Sequence, residues 1–218
     1  MRFSFENLEK TKEKFFFKSY IFKNLIITNI IMTSTSSDQT KIICNKHDIY
    51  LKTTDIKNVY TLDFSISNSK IDLNQFLGWK IYELLYELNK DILCDMKQFS
   101  TDKNNNNIQM YYLFKRFGKD LGILQRYMFF NIEKIDHSND SVEFRSTLIQ
   151  DDAYSTKLCQ PLKSNFSIFN IKKINDKLHI KYIYHIDLEE QLPASMKNIA
   201  GILIKKLFWR VKTFIEKL

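Results

Sequence analysis

The length, composition and charge of the chain indicate one globular domain and exclude several classes of protein. Its 218 residues are enough to bury a core, and 44% hydrophobic with 27% charged residues is typical of a folded chain rather than a disordered one. Four glycines and three widely separated cysteines argue against glycine-rich phosphate loops, a disulfide framework and a metal site. We therefore expect reduced thiols in a cytoplasmic protein, with no metal and no cofactor.

The net charge of +8 is concentrated at the two ends of the chain. Residues 1–32 carry six basic and three acidic side chains, and residues 193–218 carry six basic side chains and one acidic one. Basic ends can face an anionic membrane or a nucleic acid. A solvated helix face would carry the same charges, so both interpretations stay open.

Residues 1–32 form a basic and then apolar segment, for which we predict a helical extension. The apolar part is too short to span a bilayer, and no small-residue cleavage site follows it as in a signal peptide. The extension would pack on the domain or touch a membrane surface. The folded domain is predicted over residues 41–218.

From Lys41 onward the hydrophobic period changes to two, which predicts strands. Two strands over 41–52 and 58–67 precede a helix over 70–90, whose apolar face consists of Phe76, Leu77, Ile81, Leu84, Leu85 and Leu88. Six further strands are predicted over 91–101, 108–117, 122–136, 141–150, 164–174 and 177–187, with an irregular stretch over 151–163. Short connections such as Asn175-Asp176 indicate an antiparallel sheet.

The chain ends in a long amphipathic helix that begins near Pro193. Pro is tolerated in the first turn of a helix. The apolar face follows spacings of three and four: Met196, Ala200, Leu203, Leu207, Val211, Phe214 and Leu218. The sequence therefore predicts an α+β fold, in which a curved antiparallel sheet wraps around the long C-terminal helix and a smaller helix follows the first strands. The space between them is either a ligand cavity or a filled core.

Three segments resemble the START domain, the lipid-transfer branch of the Bet v 1-like helix-grip superfamily. Residues 47–66 resemble the opening strand pair of that family. Residues 122–132 resemble its segment that contains an Arg-Asp pair, with Arg126 at the position of the Arg. In residues 184–198, Asp187, Leu192, Pro193 and Asn198 match the family motif. The resemblance covers about residues 41–218.

The chain also departs from the family pattern in three places. Tyr127 replaces the family's Asp, Glu190 or Gln191 replaces a Gly, and Lys90-Asp91 lacks the family's Trp before the Asp. The chain is thus similar to a divergent member. The resemblance implies binding, and transfer between membranes, of one lipid or sterol beneath the C-terminal helix.

Strand parity and the helix face give candidate residues for this function. The predicted lipid-contacting residues are Arg126, Met128, Phe130, Ile132, Ile180, Tyr182, Tyr184, Met196, Ala200, Leu203 and Leu207. The predicted membrane-docking residues are Lys197, Lys205, Lys206 and Arg210. They would face an anionic membrane surface, so the protein would bind there as a peripheral membrane protein.

Two alternatives stay open from the sequence, an enzyme and a scaffold, and a third, nucleic-acid binding, is disfavoured. A helix-grip enzyme of the cyclase or hydrolase type would need converging acid–base pairs, for which His185 with Asp187 and Glu133 with Tyr127 are candidates. Nucleic-acid binding would fit the basic charge, but Arg is rare and no recognition motif is present, so we expect none. A scaffold with a filled interior would share the fold. We expect a monomer whose partners are a lipid and a membrane surface.

Overall fold

The computed structural model describes residues 41–100, 106–116, 124–149, 154–163, 166–187 and 198–218. These residues form ten strands: β1 (Lys41–Cys44), β2 (Ile49–Thr53), β3 (Val59–Ser67), β4 (Leu93–Ser100), β5 (Asn107–Phe114), β6 (Gln125–Ser138), β7 (Ser141–Leu148), β8 (Cys159–Pro161), β9 (Phe166–Ile174) and β10 (Lys177–His185). They also form two α-helices: α1 (Lys80–Glu87) and α2 (Ile199–Lys217). The predicted N-terminal extension lies outside the described residues, so the predicted domain boundaries stay a prediction.

The described strands make one large sheet, and the predicted α+β architecture is confirmed. The strand order is β1-β2-β3-β10-β9-β7-β6-β5-β4, and neighbours on this path are antiparallel. Strand β8 pairs in parallel with β6. The C-terminal helix α2 packs on one face of the sheet, which we call the inner face.

Strand β10 shows how the sequence separates the two faces of the sheet. Leu178, Ile180 and Tyr184 are buried on the inner face, whereas His179 and Lys181 between them are exposed. Alternation of this kind is expected for a strand with one face on the core. The ring of Phe208 on α2 closes the inner face, because its centroid lies 5.8, 5.3 and 5.0 Å from those of Phe64, Phe169 and Tyr182.

The first predicted strand, 41–52, is wrong as a single element. The structure divides it into β1 and β2, joined by a short 3₁₀ helix over Lys46–Asp48, and pairs the two as a hairpin. His47 and Asp48 have φ angles of 64° and 54°, in the left-handed region that interrupts a strand. Asp visits this region more readily than most residues, but nothing in the period-two pattern signals the break.

Two further predictions needed correction. The helix predicted over 70–90 is a 3₁₀ helix over Leu73–Phe76 followed by α1, and the interruption contains Gly78, a poor helix former. The stretch predicted as irregular contains the three-residue strand β8, which is too short for a periodicity signal.

Helix α2 begins at Ile199, with Asn198 in the capping position, and runs to Lys217. The predicted start at Pro193 is therefore too early for the helix that the structure describes, and Pro193 itself lies outside the described residues. The amide of Asn89 and the amide of Asn68 donate to the carbonyl groups of Leu207 and Ile215, at 3.3 and 2.8 Å. These side chains fix the middle and the end of α2 against the rest of the domain.

Candidate functional site

An apolar cavity lies between α2 and the inner face of the sheet. More than half of the apolar side chains that line it come from α2 and from strand β6 of the sheet: Ile204, Leu207, Phe208, Met128, Phe130 and Ile132. Its volume is about 60 Å³. Ligand pockets usually measure roughly 300–1,000 Å³, so the cavity holds a few water-sized groups and is too small for a whole lipid. The interior is therefore largely filled by side chains in this structure.

Five of the predicted lipid-contacting residues line this cavity: Met128, Phe130, Ile132, Tyr182 and Leu207. Ile180, Tyr184 and Ala200 are buried in the core but are not part of the lining. Met196 lies outside the described residues. The strand parity thus brought the right β6 side chains together, while their contact with a ligand stays a prediction.

Tyr184 holds the helix rather than facing the cavity. Its hydroxyl donates to the carbonyl of Gly201 at 3.3 Å, and its ring stacks on Tyr182 at 4.8 Å. At Gly201 the helix approaches the sheet so closely that a Cβ atom would lie 2.9 Å from Cδ1 of Tyr60. The first turns of α2 are therefore closed directly onto β3 and β10, and the cavity lies further along the helix.

Arg126 lies outside the cavity lining, although it has the parity of Met128 on β6. Its guanidinium donates to the carbonyl of Pro161 at 3.4 Å, on the neighbouring strand β8. Arg126 was predicted to contact a ligand, but nothing in the sequence pattern signalled strand β8, to which its side chain is hydrogen-bonded. We now assign Arg126 to the attachment of β8.

The buried face of α2 is rotated relative to the predicted stripe. Ile204 and Phe208 are 6% and 3% exposed and line the cavity, whereas Leu203 is half-buried and does not. Phe214 and Leu218, also predicted on the apolar face, are 38% and 50% exposed. A stripe with spacings of three and four drifts around a straight helix, and residues 202–204 are all apolar. The sequence alone could not choose between the two faces.

The cavity also contains hydroxyl groups, which sequence reasoning largely missed. They belong to Tyr82, Tyr112, Ser146, Ser167 and Tyr182, of which only Tyr182 was predicted. Alternation along the strands could have found the two serines, because Ser146 lies two residues after buried Phe144 and Ser167 two residues before buried Phe169. The side chains of Tyr82 and Tyr182 are hydrogen-bonded to Ser146 and Ser167, respectively.

The predicted exposed position of Lys205 is corrected by the structure. Lys205 is only 7% exposed, and its Nζ donates to the carbonyl of Lys46 at 2.6 Å. Lys212 on the same helix is likewise buried, with its Nζ 2.7 Å from the carbonyl of Ser65 and 2.6 Å from Glu216. Long lysine stems can cover apolar surface while the ammonium finds an acceptor at the edge. These two charges attach α2 to the 3₁₀ helix between β1 and β2 and to β3, respectively.

Of the two remaining described residues of the predicted membrane-docking set, Arg210 is held in an ion pair and Lys206 is exposed. The guanidinium of Arg210 forms a bidentate pair with the carboxylate of Asp91, in which Nη2 and Oδ2 are 2.8 Å apart. Lys206 is exposed on the outer side of the helix. Lys197 lies outside the described residues. Of the predicted membrane-docking residues in the described part of α2, Lys205 and Arg210 bind other parts of the domain. Lys206 is the one that is left to face a membrane.

The two acid–base pairs considered for an enzyme are not equivalent. Glu133 and Tyr127 are six residues apart on β6, which separates them by roughly 20 Å, so these two candidates for an enzyme do not form an acid–base pair. Tyr127 is buried in an aromatic cluster with Tyr111 and Phe129, away from the cavity. Burial lowers the pKa of His185, and the neighbouring Asp187 opposes this shift. Neither residue lines the cavity.

The described residues contain no group of three or more His, Cys, Asp or Glu side chains that could hold a metal ion. Among the same residues, no helix is long and apolar enough to cross a membrane.

Comparison with known proteins gives matches among solved structures, whereas no family model and no curated protein matches the chain. Human StAR-related lipid transfer protein 5 superposes with a TM-score of 0.64 over 92% of this chain and 95% of its own, at 8% identity. The lipid transfer and protein localization domain of human StarD13 reaches 0.67 over 89% and 98%, at 11% identity. The chain has the START fold.

A bacterial structure extends this similarity beyond the human proteins. The STAR-related lipid transfer protein from Xanthomonas axonopodis gives a TM-score of 0.57 over 80% of this chain and 96% of its own, at 9% identity. At these identities the similarity is one of fold. The START fold accounts for the arrangement of α2 over the sheet, while the cavity residues must be interpreted from this chain's own geometry.

Proposed function

We propose that the protein binds one hydrophobic molecule, a lipid or sterol, between α2 and the inner face of the sheet, and carries it between membranes. The observation that carries this proposal is the apolar cavity at that place, lined by α2 and β6 side chains. Three solved structures with the same fold are named as lipid transfer proteins or domains, which also supports lipid binding by this chain.

A ligand must enlarge the cavity, because a volume of about 60 Å³ does not hold a lipid. Burial of roughly 300 Å² of apolar ligand surface would contribute about 7.5 kcal/mol, which can offset local rearrangement of the lining. Met128 and Leu207 lie in that lining, and Met adapts to new shapes more readily than β-branched residues. Entry then requires α2 or an adjoining segment to move away from the sheet, as lids do.

The test compares two substitutions on opposite sides of the same helix. Ile204 is 6% exposed and lines the cavity, whereas Ile202 is 50% exposed. The purified full chain is incubated with phosphatidylcholine vesicles that contain cholesterol, separated from them and measured by native mass spectrometry. We expect a one-to-one lipid adduct for the wild type and for Ile202→Phe. Ile204→Phe should reduce the adduct at least severalfold, because the larger ring occupies the cavity.

Two results would contradict the proposal. If Ile204→Phe and Ile202→Phe carry equal amounts of lipid, the ligand binds elsewhere on the protein. If no variant carries lipid, and none moves a fluorescent lipid from donor to acceptor vesicles, the protein is better described as a scaffold with a filled interior. The small cavity volume makes that the second candidate.

A further inference from the structure

The hydroxyl groups of the cavity form one polar patch in an apolar lining. Ser146 and Ser167 face each other across the β7–β9 pair, and their hydroxyls bind Tyr82 and Tyr182. Tyr112 on β5 is the third phenol in the lining. Tyr82, Tyr112 and Tyr182 all line the same cavity as the two serines. One part of the cavity is therefore built for hydrogen bonding.

The hydroxyl of Tyr112 has no hydrogen-bond partner among the described residues, although the side chain is only 8% exposed. A buried polar group without a partner typically costs about 1–3 kcal/mol. Natural cores rarely retain such a group without a reason, and a ligand group is one of the few that would satisfy it. The unpartnered hydroxyl of Tyr112 can both donate and accept, and it therefore points to a polar atom of a bound molecule.

The charge of the lining restricts that molecule. No acidic or basic side chain is found among the described residues that line the cavity. Burial raises the pKa of Tyr82 and Tyr112 well above the usual value and that of Tyr182 to about 12, so the phenols stay neutral at physiological pH. A carboxylate or phosphate would lose its hydration here without gaining a countercharge.

We propose that the cavity recognises an uncharged apolar alcohol, whose single hydroxyl pairs with the Tyr112 hydroxyl, and that it rejects carboxylates and phosphates. This inference rests on the proposed function and specifies the chemical class of the ligand. The hydroxyl of the alcohol both donates and accepts, so it can satisfy Tyr112 in either direction. The apolar body of the ligand would extend along the Met128 and Leu207 side of the enlarged cavity.

The experiment uses three probes with the same chain length: 1-octanol, octanoate and octane. Binding to the full chain is measured at pH 8 by isothermal titration calorimetry, and the adduct is verified by native mass spectrometry. We expect 1-octanol to bind at least tenfold more tightly than octanoate. Tyr112→Phe should weaken 1-octanol binding about tenfold and leave octane binding unchanged. Tyr111→Phe is the matched control, since Tyr111 belongs to the aromatic cluster away from the cavity and should bind like the wild type.

The outcomes separate this inference from the proposed function. If octane binds but Tyr112→Phe leaves 1-octanol affinity unchanged, or if octanoate binds as tightly as 1-octanol, the inference fails and the proposed function survives. If no probe binds, both fail. A lower unfolding temperature for Tyr112→Phe would also overturn the inference, because it would mean that the hydroxyl is already satisfied, for example by a buried water.

Discussion

At the scale of single residues, the cations of α2 act mainly on the protein itself. The Arg210 guanidinium beside Asp91 lowers the pKa of that carboxyl to about 2. In an unfolded chain an Asp titrates near 3.9, so the pair stabilises the folded state above about pH 4 and loses this effect as the pH falls toward 2. The Asp91 side chain is 54% exposed, so solvent screening limits the contribution to about 1 kcal/mol or less.

The Asp91–Arg210 pair gives a prediction for acid stability. Asp91→Asn should lower the free energy of unfolding by up to about 1 kcal/mol at pH 6, and the difference from the wild type should disappear near pH 2. Urea unfolding at both pH values measures it. Adding Asp91→Asn to Arg210→Gln should have little further effect at pH 6. A difference that persists at pH 2 would mean that the pair is not its source.

Lys206 gives a prediction for membrane docking. It is exposed on the outer side of α2, and a lysine near an anionic surface contributes about 1 kcal/mol to binding. Lys206→Glu should therefore lower co-sedimentation with phosphatidylserine-containing vesicles at low salt more than fivefold. Lys217→Glu, an equal charge change at the exposed end of the same helix, is the control. Equal losses for both variants would indicate a general charge effect without a docking surface.

At the scale of elements, Asn89 joins the two helices. It is fully buried, and its amide donates to the carbonyl groups of Leu85 at the end of α1 and Leu207 in the middle of α2. Its side-chain oxygen accepts from Arg210 at 3.2 Å. Asn89→Ala should lower the free energy of unfolding by about 2–3 kcal/mol, because it removes the three buried or half-buried hydrogen bonds that the Asn89 side chain makes. Chemical denaturation measures this loss.

The matched comparison for Asn89→Ala is Asn68→Ala, which removes one donor from the carbonyl of Ile215 near the end of the same helix. Fewer lost hydrogen bonds should make Asn68→Ala the milder change. If Asn89→Ala costs less than the Asn68 variant, the contact between the two helices does not depend on the Asn89 amide.

The strand elements were largely predictable, and their interruptions were not. Period-two alternation is a property of the strand itself, so it placed Met128, Phe130 and Ile132 on one face correctly. The break at His47 depends on a backbone conformation that no side-chain pattern encodes. Helix α2 is apolar on more than one side, so the choice of Ile204 over Leu203 depends on what the sheet offers to pack against.

At the scale of the whole molecule, the order of the elements was enough to predict a sheet closed by a C-terminal helix. The volume left between them was beyond the sequence, because it depends on how well side chains from several elements interdigitate. Phe208 illustrates this point, since its ring contacts Phe64, Phe169 and Tyr182 from two other parts of the chain. The filled interior follows from such contacts, which no local pattern predicts.

The core of the domain contains several buried phenols, and their ionisation gives a prediction for the whole molecule. Among the described residues, burial raises the pKa of five tyrosines of the core: Tyr60, Tyr82, Tyr112, Tyr182 and Tyr184. In the unfolded chain they would ionise near pH 10. The folded state therefore binds more protons than the unfolded state above pH 10, so its stability is complete below that pH and falls as the pH rises.

The shift of Tyr182 alone, to a pKa of about 12, corresponds to roughly 2–3 kcal/mol lost between pH 10 and 12. Several such groups together approach the roughly 5–15 kcal/mol that stabilises a typical domain. We therefore expect cooperative unfolding in this range, with tyrosinate absorbance rising as circular dichroism is lost. Tyr182→Phe should move the midpoint to higher pH, because one phenol no longer favours the unfolded state. A gradual rise in absorbance near pH 10 with intact circular dichroism would instead show that these phenols are accessible to solvent, and so that the inner face is open in solution.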